Sequence, residues 1–278
     1  MEIIAVGQVK THQVQNIRDD RSYDETISTV SGGMAAMTGN KEMKTVQIVR
    51  LDKNIAWVLD PSKKSFTELS FSDMKQELDM AGKAGKEKEP MGEYEWTNNI
   101  SKDIGTETIM DCKCKGIRAV SIGVKKDDPK DSMFITNEQW FCDDLPGGKE
   151  FLAFSKKMAD SMGVEEGFLG QMSMNPMLAK FGDVFTEIAK EFATIKGVPL
   201  KTVLTVEGTV NPMNAAMGGQ EMNDETKAMM EKMGMSVPKA NSDSGHYNLV
   251  NMTNTVSKVE NKSVEDSKYE IPEGYKQR

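Results

Sequence analysis

The sequence predicts an α+β protein made mainly of antiparallel β-strands, with a few amphipathic helices inserted among them. Three observations support this. Several short segments alternate apolar and polar residues with the period of two expected of a half-buried strand. Turn-forming residues separate these segments at short intervals. Other stretches repeat apolar residues every three or four positions, as expected of a helix that packs along one side.

The strand pattern is clearest over residues 93–100, where Tyr94, Trp96 and Ile100 fall on one face. The same reasoning predicts strands over six further ranges: 3–9, 44–51, 117–124, 133–142, 200–206 and 247–256. Residues 55–59 are apolar at every position, so we expect this strand in the middle of a sheet with both faces covered.

Helices are predicted in four places. Ser70 precedes Asp73 at the spacing of a capping box, and this predicts a helix over 71–82. Apolar residues at helical spacing predict a second helix, which begins at 148 and ends at Gly163, and a longer third helix that stops before Gly197. A short Met-rich helix is expected over 224–233. The residues that mark the second and third helices are Phe151, Phe154, Met158 and Met162, then Leu178, Phe181, Phe185, Ile188 and Phe192.

Strands precede and follow these helices along the chain. This arrangement favours one sheet-based domain over 1–278, with helical insertions around 71–82, 148–194 and 222–234, rather than two separate domains.

Composition and motifs argue against several classes of function. The formal net charge is −8 and basic residues are scattered, so nucleic acid is not expected as a partner. No apolar run approaches the roughly 20 residues that span a bilayer, and we expect no transmembrane segment. The chain has no phosphate-binding glycine loop, HExxH or GxSxG motif. We therefore expect a protein that is not an enzyme, with no catalytic residues, no cofactor and no metal site.

The chain contains three cysteines: Cys112, Cys114 and Cys142. An odd number without a CxxC pair is poor evidence for structural zinc. In an oxidising compartment Cys142 could form a disulfide with Cys112 or with Cys114. Alternatively, all three are reduced and buried, and the sequence does not decide between these possibilities.

Methionine is unusually frequent, with 22 residues. Its unbranched, polarizable side chain adapts to irregular apolar shapes, so these residues either line a space for a lipid or partner, or fill gaps in a core. Met172, Met174 and Met177 are closely spaced, and clustered thioethers suit Cu(I). The alternative is an apolar loop that leads into the third helix.

Four stretches of the sequence each have a recognisable pattern. The first, 57–69, has the pattern of a hairpin with Asp-Pro, Lys, an aromatic residue and Thr. The second, 105–120, includes Cys112-Lys113-Cys114. The third is Glu138-Gln139-Trp140-Phe141 with Leu145-Pro146, and the fourth is 269–275. Together they resemble an uncharacterised family of secreted bacterial proteins that is similar to the LolA-like lipoprotein-carrier superfamily, and 105–120 resembles that family's central hairpin.

The resemblance implies a strongly curved, open antiparallel sheet, a LolA-like half-barrel, with helices packed on its concave face. It also implies a location in the bacterial envelope, as a periplasmic, secreted or lipid-anchored protein. Residues at the start show no signal peptide, so either the protein is cytosolic or its export signal has been removed. The envelope location that the resemblance implies corresponds to the second case, with the signal peptide absent from this chain.

The resulting hypothesis is a non-enzymatic envelope protein that binds a lipid or acyl chain between sheet and helices. The alternative is a structural or protein-interaction module with a packed core, for which an envelope protein would be the partner. A Cu(I)-binding Met-rich protein is a third hypothesis. The residues expected to line the ligand space are Trp57, Trp96, Trp140, Phe154, Met158, Phe181 and Phe185.

Overall fold

The computed structural model describes residues 6–33, 42–76, 80, 94–101, 103–163, 188, 190–211, 223, 225, 229, 240, 245–260 and 262–278. Its strands form two six-stranded sheets. Sheet A has the spatial order β1-β2-β3-β4-β5-β12, in which all neighbours are antiparallel except β12, which runs parallel to β5. Its strands are β1 (Val6–Arg18), β2 (Arg21–Gly33), β3 (Glu42–Arg50), β4 (Ile55–Asp60), β5 (Ser65–Ser70) and β12 (Lys276–Gln277).

Sheet B is antiparallel throughout and has the order β11-β10-β9-β8-β6, with β7 paired to the start of β8. Its strands are β6 (Tyr94–Ser101), β7 (Thr106–Ile109), β8 (Cys112–Lys125), β9 (Ser132–Cys142), β10 (Val198–Gly208) and β11 (Tyr247–Thr255). Within the described ranges neither sheet closes on itself. The prediction of a mainly antiparallel, open α+β architecture is confirmed at this level.

The first hairpin of sheet A is longer than the sequence predicts. A strand was expected over 3–9, whereas β1 continues to Arg18 and turns at Asp19 and Asp20 into β2, which the alternation did not predict. Asp19 has a positive φ of 49°, a conformation that Asp adopts more readily than most residues and that suits a tight two-residue turn.

Strand β4 is covered on both faces, as its continuous apolar sequence predicts. Ala56 packs with Val49, Phe71 and Phe154. Trp57 and Leu59 point the other way, into a cluster closed by the C-terminal segment. The members of that cluster are Val46, Ile48, Trp57, Leu59 and Tyr269, with Tyr23, Ile55, Phe66, Val264, Ile271 and Tyr275 around them.

Helical residues lie between strands of the two sheets along the chain. Residues 71–76 and Met80 are helical, and the Asp73 N–H donates to Ser70 Oγ over 3.0 Å, which confirms the predicted N-cap. Helix α1 (Gly148–Met162) ends at Gly163, whose φ of 62° forms the left-handed C-cap. Residues 188 and 190–193 are helical, as are Glu225 and Met229. Among the described helices, none is long and apolar enough to cross a bilayer.

Candidate functional site

One face of sheet B combines a large apolar surface with buried polar groups. We call it the Ile135 face. Because side chains alternate along a strand, residues paired across the ladder share a face. The register Ser121↔Ile135 and Ile135↔Val206 therefore fixes its composition across three strands. Its apolar members on the strands are Ile117, Ala119, Met133, Ile135, Phe141, Leu204 and Val206, with Tyr94, Trp96, Ile100, Leu249 and Met252 packed around them.

A helical segment contributes to the same cluster. Ile188 is fully buried and Phe192 is nearly so, and both pack with the strand residues of the Ile135 face. The rings of Phe141 and Phe192 meet edge to face with their centroids 6.1 Å apart, a favourable geometry for an aromatic pair. The apolar face is thus in contact with the end of the third predicted helix.

A polar stripe crosses the Ile135 face. Asn98 on β6, Ser121 on β8 and Asn137 on β9 lie diagonally across the sheet, followed by Gln139. Ser121, Asn137 and Gln139 are all buried. Ser121 Oγ donates a hydrogen bond of 2.5 Å to Asn98 Oδ1, so this part of the stripe is satisfied.

Asn137 is the exception within this stripe. Its side chain is 2% exposed, and its Oδ1 accepts no hydrogen bond from any residue that the structure describes. An unpaired buried acceptor costs about 1–3 kcal/mol, so such groups are rare and call for an explanation. Chemically, the atom is a single acceptor set into an apolar surface, and it is suited to a donor group on an otherwise hydrophobic molecule.

Of the predicted ligand residues that the structure describes, Trp96 lies on this face. It is paired in register with Gly123 on β8, and a Cβ at position 123 would lie 2.8 Å from the indole ring. Gly123 therefore allows the indole to lie directly on the neighbouring strand. The result is a flat aromatic wall at the β6 end of the Ile135 face.

The structure places Trp57 elsewhere. It lies in sheet A, on the face opposite to Phe154, because Ala56 and Trp57 are successive residues of β4. Its Nε1 donates to Glu68 Oε2 over 2.8 Å, and Lys53 Nζ lies 5.1 Å from its ring centroid. Trp57 therefore does not share a space with Phe154, contrary to the expectation that both line one cavity.

Phe154 and Met158 are brought together, as α1 predicts. Phe154 is buried and Met158 packs beside it, in a cluster with Val49, Ala56, Phe71 and Met162. This cluster joins α1 to sheet A rather than to the Ile135 face. The predicted residues Phe181 and Phe185 lie outside the described residues, as do Met172, Met174 and Met177 of the proposed copper cluster.

Trp140 lies on the opposite face of sheet B from Phe141, in what we call the Trp140 face. Lys201 Nζ sits 4.6 Å from its ring centroid and also binds Glu107 over 2.7 and 3.0 Å. Cys112 and Cys142 pack in the same cluster, together with Cys114. These contacts separate Trp140 from Trp96 by the thickness of the sheet.

The three cysteines meet on the Trp140 face. Cys112 and Cys142 form a disulfide, and Cys114 is a fully buried thiol. The sequence had left open whether Cys112 or Cys114 pairs with Cys142. Burial raises the pKa of the Cys114 thiol, which keeps it protonated near neutral pH.

A surface groove in sheet A forms a different concavity. It has a volume of about 520 Å³ and runs past the N-terminal part of β3, the β4–β5 turn and Arg278. Its walls mix charged groups such as Lys44, Asp60 and Lys63 with Met43 and Phe66. Met43 is 57% exposed, so the groove offers less burial to an apolar ligand than the Ile135 face does.

Comparison with protein-family models, with curated proteins and with solved structures found no match to the chain. The resemblance to LolA-like proteins and the envelope location therefore stay predictions from the sequence.

Sequence reasoning missed the polar stripe. Asn98 and Asn137 occupy positions where alternation directs the side chain toward the apolar face, with Trp96 and Ile135 two residues before them. A polar residue in phase with the apolar set of a strand is the signal that could have identified them.

Proposed function

We propose that the chain is a non-enzymatic binding protein for a hydrophobic ligand, a lipid or an acyl chain, held between the Ile135 face of sheet B and the helical segment that contains Ile188 and Phe192. The supporting observation is Asn137: a buried, unpaired acceptor in the middle of an apolar surface. A ligand with an alkyl chain and one hydroxyl or amide donor is complementary to this arrangement.

Burial of the alkyl chain would supply most of the binding energy. Each CH₂ removed from water contributes about 0.8 kcal/mol, so a long chain could offset the displacement of Ile188 and Phe192 from the sheet. The Met-rich composition fits a lining that adapts to its ligand. The resemblance to lipoprotein carriers favours the same class of ligand, and with it a location in the bacterial envelope.

The donor on the ligand would contribute less to affinity than the alkyl chain does, and it would fix the orientation of the ligand. Pairing Asn137 Oδ1 with one hydroxyl contributes about 1 kcal/mol net, or roughly a five- to tenfold preference over a ligand without a donor. The amphipathic ligand would then lie with its polar group near the polar stripe and its chain along Ile135 and Leu204.

The test compares two probes of equal chain length: a monoacylglycerol, which has hydroxyl donors, and the fatty-acid methyl ester, which has none. Native mass spectrometry and displacement of a fluorescent fatty acid would measure binding. We expect saturable binding of both, with the monoacylglycerol preferred about five- to tenfold. Protein that takes up neither probe would refute the proposal.

A matched pair of variants assigns the site. Asn137→Leu should abolish the preference for the monoacylglycerol while the ester still binds. Asn251→Leu is the control because Asn251 is an exposed residue of the same type on β11 of the same sheet. It should leave the preference unchanged. An equal preference in Asn137→Leu and the wild type would place the donor contact elsewhere.

A structural or protein-interaction module is the second candidate. The observation that favours it is the distribution of the predicted lining residues over four separate packed clusters: Trp96, Trp57, Phe154 and Trp140 each belong to a different one. A packed interior predicts no uptake of either probe, together with association through an open sheet edge such as β1 or β11.

A further inference from the structure

The Trp140 face holds three sulfur atoms at one point. The Sγ atoms of Cys112, Cys114 and Cys142 all lie within 4.8 Å of one another. Cys112 and Cys114 are two residues apart on β8 and so point to the same side. The β8–β9 ladder pairs Lys115 with Phe141, and continuing it by one residue places Cys114 opposite Cys142. Strand register therefore brings the trio together.

The surroundings of the trio are apolar. Cys114 and Cys142 are fully buried, and Cys112 is partly buried. Ile109, Val198 and Leu200 are buried members of the same cluster, and Met110 packs against it. These side chains shield the sulfurs of Cys114 and Cys142 from water.

We propose that reduction of the Cys112–Cys142 disulfide converts this trio into a binding site for a thiophilic metal ion of the Zn²⁺ type. Zinc–sulfur bonds of about 2.3 Å place tetrahedral thiolates about 3.8 Å apart. After reduction the two disulfide sulfurs would therefore have to separate by about 1.8 Å, and the Cys114 sulfur already lies within 4.8 Å of both. Three thiolates leave one coordination position for water or for a further donor.

The reaction balances as follows. An external dithiol transfers two electrons and two protons to the Cys112–Cys142 disulfide and becomes a disulfide itself. This yields three thiols, and a bound Zn²⁺ then displaces their protons to solvent as the thiolates coordinate it. In the reverse direction an external disulfide accepts the two electrons, together with two protons from solvent, and becomes a dithiol as the Cys112–Cys142 bond re-forms. Two of the three ligands are then lost, so the ion leaves and Cys114 takes up a proton.

The metal replaces a covalent cross-link with a coordinate one. In the oxidised protein the disulfide joins the start of β8 to the end of β9, and in the reduced protein the ion would join the same two strand ends. The site lies on the opposite side of sheet B from Asn137, so it is independent of the proposed lipid function.

The test uses the full chain, oxidised and after treatment with a phosphine reductant. Cd²⁺ binding is followed by the ultraviolet absorption of cadmium–thiolate bonds, and Zn²⁺ binding by competition with a chromogenic chelator. We expect one ion per reduced chain and none in the oxidised chain. Cys114→Ser should keep the disulfide when oxidised, and when reduced it should bind at least about 100-fold more weakly, because loss of even an outer-shell partner costs 10–100-fold.

Cys112→Ser is the second variant, because position 112 is the most accessible of the three cysteine positions. The reduced Cys112→Ser protein should lose Zn²⁺ and Cd²⁺ binding to the same extent as reduced Cys114→Ser. Far-UV circular dichroism checks the fold of each sample. If the reduced wild type loses structure, added Zn²⁺ must restore it. Failure to bind or to restore structure overturns the proposal, as does equal binding by the oxidised wild type or by reduced Cys114→Ser.

Discussion

Tyr269 offers a sharp test of the packing between the C-terminal segment and sheet A. Its side chain is fully buried against Ile48 and Trp57, and its hydroxyl has no hydrogen-bond partner among the described residues. Tyr269→Phe keeps the ring and removes the unpaired hydroxyl, which costs about 1–3 kcal/mol where it is buried. We therefore expect the free energy of unfolding to rise by about 1 kcal/mol, whereas Tyr269→Ala should lower it by about 3–5 kcal/mol.

Urea denaturation at pH 7 would measure both changes, with the dependence on urea concentration checked for a constant slope. Tyr275→Phe is the matched control, because Tyr275 is only partly buried at the edge of the same cluster, and it should change stability by less than about 0.5 kcal/mol. A loss of 1 kcal/mol or more in Tyr269→Phe would show that the hydroxyl has a partner, and the inference of an unsatisfied group would be wrong.

Three further predictions concern stability. Burial raises the pKa of Asp24 to about 6 from its ordinary 3.8. The stabilising contribution of Asp24 is therefore full below pH 4 and is lost as the pH rises through 6. In urea unfolding, the wild type should lose on the order of 1–2 kcal/mol of unfolding free energy between pH 4 and 7, and Asp24→Asn should not show this loss. Ser70→Ala removes the cap that accepts the Asp73 N–H and should cost about 0.5–2 kcal/mol by thermal unfolding, while no loss would show that the cap contributes nothing. Reduction of Cys112–Cys142, whose sequence separation is 30, should lower the unfolding free energy by about 3–4 kcal/mol from loop entropy, and an unchanged urea midpoint would contradict the pairing.

Strand β6 was predictable because its residues alternate between two faces: Tyr94, Trp96 and Ile100 pack against the Ile135 face, and the residues between them are exposed. In β8 the apolar alternation is misleading, because Ile122 is 37% exposed and the buried residues lie on the other face of the strand.

In β9 every second residue is buried from Met133 to Phe141, but the sequence does not alternate in the same way, because the polar residues Asn137 and Gln139 occupy buried positions. Helix α1 was predictable from its period of 3.6 and its terminal Gly163.

Strand β2 could not be predicted in this way. Of its residues with a described side-chain environment, only Ser22 is buried, so no apolar face marks the strand. Its position is set by pairing with β1 and β3 over most of its length. Backbone pairing of this kind leaves little trace in side-chain composition, and β-propensity depends strongly on such context.

The disulfide illustrates a limit of local spacing. Cys112 and Cys114 are both on the same side of β8, so each is within reach of Cys142 at the end of β9. The preferred pair depends on side-chain directions at the strand ends, where β7 also packs, and the local sequence contains no information on these.

The candidate site was hard to predict because apolar content alone does not say which face of a strand a residue shares with which partner. The sequence predicts Trp57 and Phe154 in one lining, because both are large and apolar. However, β4 is covered on both faces, and a strand of this type has two apolar surfaces that lead to two different clusters.

Asn137 carries the opposite kind of signal. Its neighbours in phase, Ile135 and Phe141, assign it to the apolar face, so its polarity is unexpected there and points to a function. In a protein with many apolar strands, a polar residue at a position in phase with the apolar residues is therefore more informative about a binding site than another aromatic residue at such a position.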